Sequence, residues 1–579
     1  MKRKIIFIGI LIIIMIHFSI SGICSIKSIS YEDKNDLIKY AYSVLDLAFG
    51  KNPKFFQINP QMENYDKLFI TLMCNKKIRA CQSGKTDSNN SQRIKLDIKE
   101  AVVKCINDKR FGGVIFEEEV NNAEVVFTFL FNKKQIRGDL NDLEKKIELG
   151  VHAIEIENGD KQAYFKESVP ITKNYNLERT LERLCEKANL DKNCYTDPGT
   201  KIFIYNTITF KGDRKGRIVD LYRYNVLINL DEIDNELLFK RITLAKTWFI
   251  NSVNNKTKRL QYMYYPSLDE YSSTNNHVRQ LATLWSIAKL KDFLQDSSFD
   301  DLIKETINYY LDYSVKTDKN YSYIMIENKA KLAYSAFLIL SLLHISDYPD
   351  NNKLLTSLAK GIISLQNVNG SFNTYFLSER NTGIDYYPGE AMLALIKLYN
   401  KTGNKTYLDS VYKAFHYYKE YWRKNKNTAF IPWHTQAYFL LYNEVKDPEI
   451  KDFIFEINDW LVNRYQIRND IYKDKIGGFP QNNPRNSTSS YLEGIADAYL
   501  LARNIEDNFH LIKYRKAIQL GARFIVLTQY TENNAFYIGN QKRTLGGFRH
   551  SLISNIQRID YTQHAIMALM KIYNYKALD

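Results

Sequence analysis

The sequence lacks the local patterns that mark several common protein classes. After the first 25 residues no segment is apolar enough to span a membrane, which argues against a multi-spanning membrane protein. No basic helix or recognised nucleic-acid motif occurs, so nucleic acid is not an expected partner. No His, Cys or carboxylate cluster has metal-site spacing and no Asp-rich diphosphate motif is present, so we expect neither a metal, nor another cofactor, nor a terpenoid cyclase.

The one long apolar run lies at the N-terminus. Residues 1–24 combine a basic start at Lys2, Arg3 and Lys4 with an apolar stretch and small residues near Gly22, the pattern of a secretory signal peptide. An uncleaved anchor is the alternative, because the run nearly reaches the ~20 residues of a membrane span. Both interpretations predict an extracytoplasmic protein, whether periplasmic, secreted or membrane-anchored, and the second adds membrane association through this segment.

Cysteine is scarce, with 6 among 579 residues. Cys74, Cys81, Cys105, Cys185 and Cys194 follow the leader, and their odd number leaves at least one thiol if the others pair. Cys185 and Cys194 are the most plausible bridge in an oxidising compartment, while buried thiols are an equally good interpretation.

Positive charge exceeds negative charge, giving a formal net charge of +15. A basic exported protein could face an anionic polysaccharide or a membrane surface. A solvated, Lys-rich exterior explains the same excess.

Residues 32–230 show mixed periodicity. "KLFITLM" and "AEVVFTFLF" have the pattern of strands, whereas "RIKLDIKEAVVKCIND" and "LERTLERLCEKANL" have that of amphipathic helices. This mixture predicts an α+β domain.

The same region resembles the AMMECR family. The similar stretches are "KLFITLMCNKKIRACQSG", "AVVKCINDKRFGGVIFEEEV", "LGVHAIEIENGDKQAYFKESVP" and "LERLCEKANLDKNCYTDPGTKIFIYNTITF", in the family's order. The family's Leu-Arg-Gly-Cys-Ile-Gly signature departs here to Ile78-Arg79-Ala80-Cys81-Gln82-Ser83-Gly84. The resemblance implies a fold without an agreed activity. Cys81 beside Arg79 is either a cation-stabilised thiolate or a structural thiol.

The second half, residues 236–579, has helical periodicity throughout. About twelve apolar segments are separated by Gly, Pro and Asn clusters, so consecutive helices should pack antiparallel. The segments begin near Glu236, Asn275, Phe299, Asn328, Asn351, Asp385, Lys405, Pro432, Glu449, Ser489, Asn508 and Ile559.

Alternate segments differ in character. One set, such as "YLDSVYKAFHYYKEYWRK", is amphipathic, and the other, such as "AKLAYSAFLILSLLHI", is almost continuously apolar. Six outer and six inner helices in alternation describe an (α/α)6 toroid. A weak repeat, "NGSF", "GGFP" and "GGFR", places Gly and Phe between an outer and an inner helix, where glycine would close a turn and Phe would fill the rim.

The inner helices of such a ring all begin at the same end, so the polar residues of their first turns should meet in one cavity. Asp385, Ser489 and Asp560 could act only as helix caps. Glu493 and Asp497 repel at i, i+4 spacing, and Asp560 can orient His564 one turn away. We therefore predict that a set of catalytic residues and a set of substrate-binding residues line the cavity. The predicted catalytic residues are Tyr561, His564, Glu493, Glu390 and Asp560. The predicted substrate-binding residues are Arg549, Arg558, Tyr386, Tyr387, Trp433, His434 and Tyr491.

The toroid is similar to carbohydrate-active six-hairpin proteins, and the stretch "FRHSLISNIQRIDYTQH" resembles the C-terminal domain of D-glucuronyl C5-epimerases. The resemblance implies a catalytic role for Tyr561, with Arg549, Arg558 and Asp560 around it. His564 stands one residue nearer to Tyr561 than in the family's pattern. A second tyrosine of that pattern is replaced by Gly546 and Gly547.

Three functions follow as hypotheses, each with a polysaccharide or oligosaccharide partner. The first is removal of the C5 proton of a uronate unit, as in an epimerase or lyase. The second is glycoside hydrolysis by two carboxylates. The third is a non-catalytic glycan-binding or envelope-assembly module.

Overall fold

The computed structural model describes residues 29–55, 58, 64–75, 77–84, 92–317, 321–345, 348 and 350–579. The predicted signal peptide or anchor lies outside the described residues. Within them, no helix has both the length and the apolar character needed to cross a bilayer.

The α+β region is built from helices and strands in irregular alternation. In chain order they are α1 (Tyr31–Ala48), β1 (Lys67–Cys74), β2 (Lys77–Ser83), α2 (Arg93–Ile106), α3 (Glu117–Asn121), β3 (Glu124–Ile136), α4 (Leu140–Lys146), β4 (Ala153–Asn158), β5 (Lys161–Phe165), α5 (Ser168–Lys173), α6 (Leu177–Lys187), β6 (Lys201–Gly212) and β7 (Ile218–Leu221). This composition confirms the predicted α+β class.

The described chain divides into two compact units. The first contains the residues up to Lys133 and Asn206–Asp220. Its strands lie in the order β2-β1-β3-β6, with β7 beside β6, and β1 pairs antiparallel with both of its neighbours. Helices α1 and α2 bury their apolar faces in the core of this unit.

The second unit contains Lys134–Tyr205 and Leu221–Asp579. Its strand β4 pairs antiparallel with β5 and with the start of β6. A disulfide joins Cys185 in α6 to Cys194, with Cα atoms 5.8 Å apart. The buried Arg223 donates from Nε to Asp474 at 2.6 Å and pairs with Glu148 at 2.8 Å, which fixes the segment that precedes the helical region.

Long helices dominate the rest of this unit. They are α7 (Asn235–Asn251), α8 (His277–Leu294), α9 (Asp300–Leu311), α10 (Leu332–Leu342), α11 (Asn351–Ser364), α12 (Tyr387–Thr402), α13 (Lys405–Lys424), α14 (Ile431–Val445), α15 (Pro448–Tyr465), α16 (Ser487–Asn504), α17 (Asn508–Leu527) and α19 (Ile559–Asn574). The short elements between them are β8 (Met263–Tyr265), β9 (Glu270–Tyr271), β10 (Ser314–Lys316), β11 (Ser322–Ile324), α18 (Gln541–Thr544) and β12 (Gln557–Arg558).

The helices close into a double ring. Helices α8, α10, α12, α14, α16 and α19 contact one another in that order, and α19 returns to contact α8. Each outer helix packs mainly on one inner helix: α7 on α19, α9 on α8, α11 on α10, α13 on α12, α15 on α14 and α17 on α16. The predicted (α/α)6 toroid is therefore confirmed.

Hydrophobic patterning decides which ring a helix joins. Every residue of the inner helix α10 is buried, because neighbours surround it on all sides. The outer helix α13 instead buries residues such as Val411, Phe415 and Trp422 on one stripe and leaves charged residues on its outer face.

The Gly-x-Phe repeat has a structural role. Gly370, Gly477 and Gly546 all have positive φ, and an added Cβ at each would collide with a backbone carbonyl of an outer helix. Only glycine therefore permits this approach. The phenylalanine two positions later, Phe372, Phe479 or Phe548, is buried each time.

Candidate functional site

The first turns of the inner helices meet at one end of the ring, which we call the mouth. Contacts between neighbouring helices establish this directly. Arg279 in the first turn of α8 contacts Asp560 in the first turn of α19, and His564 of α19 contacts Glu493 of α16. Alternation of inner and outer helices imposes this arrangement, because every inner helix runs in the same direction.

Asp560 is held between two arginines. Nε of Arg279 donates to its Oδ2 at 2.9 Å, and Arg558 donates from Nε to Oδ1 at 2.5 Å and from Nη2 to Oδ2 at 2.8 Å. Burial alone would raise the pKa of Asp560, but Arg558 first and then Arg279 lower it below its ordinary value. The carboxylate is ionised at neutral pH, so this trio carries one net positive charge.

His564 and Glu493 form a dyad. Nδ1 of His564 lies 2.6 Å from Oε1 of the fully buried Glu493, and the second carboxylate oxygen accepts from Nε2 of Gln436 at 3.4 Å. The carboxylate fixes the orientation of the imidazole ring. About one fifth of the His564 side chain remains exposed, so the ring is accessible from the mouth.

Glu390 lies buried in the first turn of α12, and its Oε2 has no hydrogen-bond partner. Burial raises the pKa of this carboxyl to about 8, although the charges of Lys331 and Arg279 oppose the rise. Glu390 is therefore mostly protonated at neutral pH, whereas Asp560 is ionised. The two carboxyl groups share the electrostatic influence of Arg279.

Tyr561 lies beside Arg558 and within the influence of the charge of Arg279. The guanidinium carbon of Arg558 is 4.3 Å from the centroid of its ring. Burial raises the pKa of the phenol to about 12, with Arg558 acting in the opposite direction. Tyr561 thus keeps its proton at neutral pH and can donate a hydrogen bond.

Three of the predicted aromatic residues line the mouth or its wall. The ring of Tyr386 is 38% exposed and packs edge-on against Tyr387, with centroids 5.0 Å apart. Trp433 is buried, and its ring centroid lies 5.8 Å from that of His564. Tyr386 therefore offers an accessible ring face, whereas Trp433 supports the dyad.

The other predicted binding residues have partners of their own. Arg549 is fully buried and donates to the carbonyl oxygen of Leu527 at 3.2 Å. His434 is buried, stacks on Phe430 with ring centroids 3.4 Å apart, and has a pKa lowered to about 3 by burial. The hydroxyl of Tyr491 donates to Thr428 at 2.9 Å. These contacts do not place the three polar groups beside the dyad.

Arg279 is a mouth residue that the sequence prediction missed. Its position in the first turn of an inner helix is the signal that could have identified it. Nη1 of Arg279 also donates to the hydroxyl of Tyr262 at 3.2 Å, which fixes the guanidinium over Asp560.

Cys81 lies in the other unit. The hydroxyl of Thr71 is 3.2 Å from its sulfur, and its backbone N–H donates to Asp108 at 3.1 Å. The guanidinium of Arg79 donates instead to Glu119 at 2.8 Å and to nearby carbonyl oxygens. Arg79 is therefore committed to partners other than the thiol.

Among the described residues, no group of three or more His, Cys, Asp or Glu side chains is arranged to hold a metal ion. The groups gathered at the mouth can donate protons, accept protons and bind an anion.

Three solved structures are similar in fold to parts of this chain. A GH76 alpha-mannanase of Bacteroides thetaiotaomicron is 11% identical, with a TM-score of 0.42 and coverage of 60% of this chain and 97% of its own. An unsaturated glucuronyl hydrolase of Streptococcus agalactiae is 13% identical, with a TM-score of 0.41 and coverage of 59% and 92%. A protein of Pyrococcus horikoshii is 21% identical, with a TM-score of 0.30 and coverage of 34% and 98%.

The sequence relatives match a quarter of the chain or less. A protein of Pyrococcus abyssi is 30% identical over 118 residues, which are 20% of this chain and 57% of the relative. A protein of Caldivirga maquilingensis is 26% identical over 145 residues, 24% of this chain and 64% of the relative. The chain thus spans less than two thirds of either relative. The AMMECR1 family model matches residues 38–210, and this segment is an AMMECR1 domain.

Proposed function

We propose that the mouth of the toroid is an active site that removes the C5 proton of a uronate unit in a polysaccharide. The observation that carries the proposal is the His564–Glu493 dyad at 2.6 Å beside two arginines. A carboxylate that accepts from Nδ1–H leaves Nε2 with its lone pair, which is the state that a general base requires.

The arginines supply the second requirement of the reaction. Loss of the C5 proton places negative charge on the uronate carboxylate, and nearby cations stabilise that charge. Asp560 neutralises only one of the charges of Arg279 and Arg558, and both guanidinium groups are partly exposed. Their remaining N–H groups are available to a substrate carboxylate.

The proposed reaction consists of a proton transfer from C5 and a second proton transfer that completes it. Nε2 of His564 takes the C5 proton, and the electron pair of the C–H bond moves into the carboxylate. Glu390 or Tyr561 then returns a proton to C5 from the opposite face in epimerisation. In elimination the electron pair forms a C4=C5 double bond as the C4–O bond breaks, and the protonated Glu390 donates its proton to the leaving oxygen.

Hydrolysis is the second candidate, and the raised pKa of Glu390 favours it. A carboxyl protonated at neutral pH is the general acid that glycoside hydrolysis needs. Both oxygens of Asp560 accept from arginines, which makes Asp560 a weak base and a weak nucleophile. The activating base would then be His564.

We further propose an extracytoplasmic location, with a polysaccharide as the partner. This rests on residues 1–24 of the sequence and on the accessible ring of Tyr386, onto which a sugar can stack.

The test is incubation of the full chain with polymers of glucuronate, galacturonate or mannuronate in heavy water. We expect deuterium at C5 of the polymer, detected by NMR, if the reaction is epimerisation, and an unsaturated C4–C5 product if it is elimination. Release of reducing ends with neither deuterium at C5 nor an unsaturated product would identify hydrolysis instead. Binding without either reaction would leave a glycan-binding module and overturn the proposal.

A further inference from the structure

Three lysines converge inside the ring, away from the mouth. Lys289 lies on α8, Lys397 on α12 and Lys571 on α19, all of them inner helices. Each lies well beyond the first turn of its helix, roughly 15–18 Å along the axis at the rise of an α-helix. The ring topology therefore brings three ammonium groups from separate helices towards one interior region.

Lys571 is fully satisfied. Its Nζ donates to Asp497 Oδ2 at 2.6 Å, to Gln436 Oε1 at 2.9 Å and to the carbonyl oxygen of Glu493 at 3.2 Å. Asp497 also accepts from the hydroxyl of Tyr575 at 2.9 Å. Lys571 and Asp497 thus form a neutral pair.

Lys289 and Lys397 differ from Lys571. Neither makes a hydrogen bond or an ion pair with any residue in the described part of the chain. Lys289 Nζ lies 5.6 Å from the centroid of the Trp285 ring. Two ammonium groups inside the ring therefore have no anion in direct contact among the described residues.

The electrostatics show that these groups act on one another. Burial, followed by the charges of Lys397 and Lys571, lowers the pKa of Lys289 to about 7, against the opposing charges of Asp497 and Glu493. Burial and Lys571 lower the pKa of Lys397. Both lysines also oppose protonation of a nearby histidine, His344, whose Nδ1 lies 2.6 Å from Asp292.

Such an arrangement is unfavourable without a ligand, because like charges repel and a buried charge loses its hydration. Interaction with helix C-termini does not explain it, since this effect is confined to the last turn and Lys289 and Lys397 precede the helix ends at Leu294 and Thr402 by more than a turn. Because Lys571 and Asp497 form a neutral pair, the ammonium groups of Lys289 and Lys397 leave a formal charge of two for an anion to meet.

We propose that Lys289 and Lys397, next to the Lys571–Asp497 pair, bind a small oxyanion, phosphate or sulfate, inside the ring. Lys289 and Lys397 lie deeper along the inner helices than the first-turn residues of the mouth, and the inference does not depend on the proposed function. A free phosphate or sulfate ion and the corresponding sugar ester both present an oxyanion to the lysines, so the test includes both.

The test is thermal unfolding of the full chain at pH 6.5 with increasing phosphate or sulfate, compared with sodium chloride at equal ionic strength. We expect Tm to rise with the logarithm of the oxyanion concentration. The shift should be lost in K289M and in K397M. It should persist in K360M, a matched change at an exposed position of the outer helix α11.

Two further comparisons identify the ligand and test its specificity. A hexose 6-phosphate that stabilises the protein more than phosphate does would identify a sugar ester as the ligand, and the reverse order would identify the free ion. Equal stabilisation by chloride and phosphate would overturn the proposal, as would a phosphate shift that survives in both K289M and K397M. If one variant does not fold, the other decides. No turnover is measured, so failure of this test leaves the proposed function untouched.

Discussion

Nδ1 of His564 and Oε1 of Glu493 lie 2.6 Å apart, although 71 residues separate them in the sequence. Helices α16 and α19 are neighbours in the inner ring, and each contributes one member of the pair from its N-terminal half. The closed ring therefore creates the dyad, and the dyad gives the mouth an oriented imidazole.

Glu493→Gln should lower the rate of C5 exchange by roughly 10²–10⁴-fold, the usual contribution of a general base. The amide can still accept a hydrogen bond, but it does not stabilise the imidazolium that forms when His564 takes a proton. Initial rates in heavy water measure the loss. Glu305→Gln, at an exposed position of the outer helix α9, is the matched control and should keep full activity. An unchanged rate in E493Q would exclude the dyad from the reaction.

The sequence predicts the toroid well because burial imposes a simple pattern. The inner helix predicted near Ile559 begins at Ile559, and that predicted near Asp385 begins at Tyr387. Continuous apolar runs can be satisfied only where a helix is surrounded, so the sequence alone distinguishes inner from outer helices. The convergence of first turns then follows from alternation.

The side-chain contacts at the mouth are harder to predict from the sequence than the helices are. Arg279 stands three residues after Asn276, the N-cap of α8, and nothing local shows that its guanidinium crosses to Asp560 on another helix. Arg549 belongs to the same predicted motif as Asp560, yet it donates to the carbonyl oxygen of Leu527. Rotation of a helix about its axis and the path of a loop decide these contacts, and a single sequence specifies neither.

Arg279→Met should raise KM for a uronate polymer about tenfold or more while it lowers kcat less. The variant removes one of the two cations that would meet the substrate carboxylate and leaves Asp560 paired with Arg558 alone. Steady-state kinetics on the uronate polymer measure the effect, and calorimetry compares binding of that polymer with binding of its carboxyl-reduced form. Arg279→Lys should recover part of the affinity. An equal loss of binding affinity for the carboxyl-reduced polymer would contradict recognition of the uronate charge.

Glu390 should make the protein less stable as the pH rises from about 5 to 8. Its folded-state pKa of about 8 exceeds the ordinary value of 4.5, so the folded state binds the extra proton between these limits. The contribution is fully present below pH 4.5 and is lost as the pH passes through 8, with a slope of at most about 1.4 kcal/mol per pH unit. Urea denaturation of the wild type and E390Q at several pH values measures it. The variant should lack this slope, and identical slopes would show that the carboxyl is not buried in its neutral form.

The Cys185–Cys194 disulfide should be the redox-sensitive element of the described chain. After denaturation without reductant, iodoacetamide should label Cys74, Cys81 and Cys105 and leave Cys185 and Cys194 unmodified, as mass spectrometry of peptides would show. Reduction should expose both to labelling. The C185S/C194S variant should lose about 2–3 kcal/mol of the free energy of unfolding, typical of a short closed loop. Labelling of Cys185 before reduction would contradict the bridge.

Lys289 should make the protein more stable as the pH rises from 7 to about 10. Its folded-state pKa of about 7 lies below the ordinary 10.5, so the unfolded chain binds the extra proton in this interval. Below pH 7 both states are protonated, and the folded state bears the full cost of a buried charge facing Lys397 and Lys571. The difference in free energy of unfolding between K289M and the wild type should therefore favour K289M at pH 7 and shrink towards pH 10.

Buffers without oxyanions are essential, because a bound dianion would hold Lys289 protonated and flatten the difference. A difference that is constant from pH 7 to 10 in such buffers would show that Lys289 is hydrated rather than confined among the other two ammonium groups.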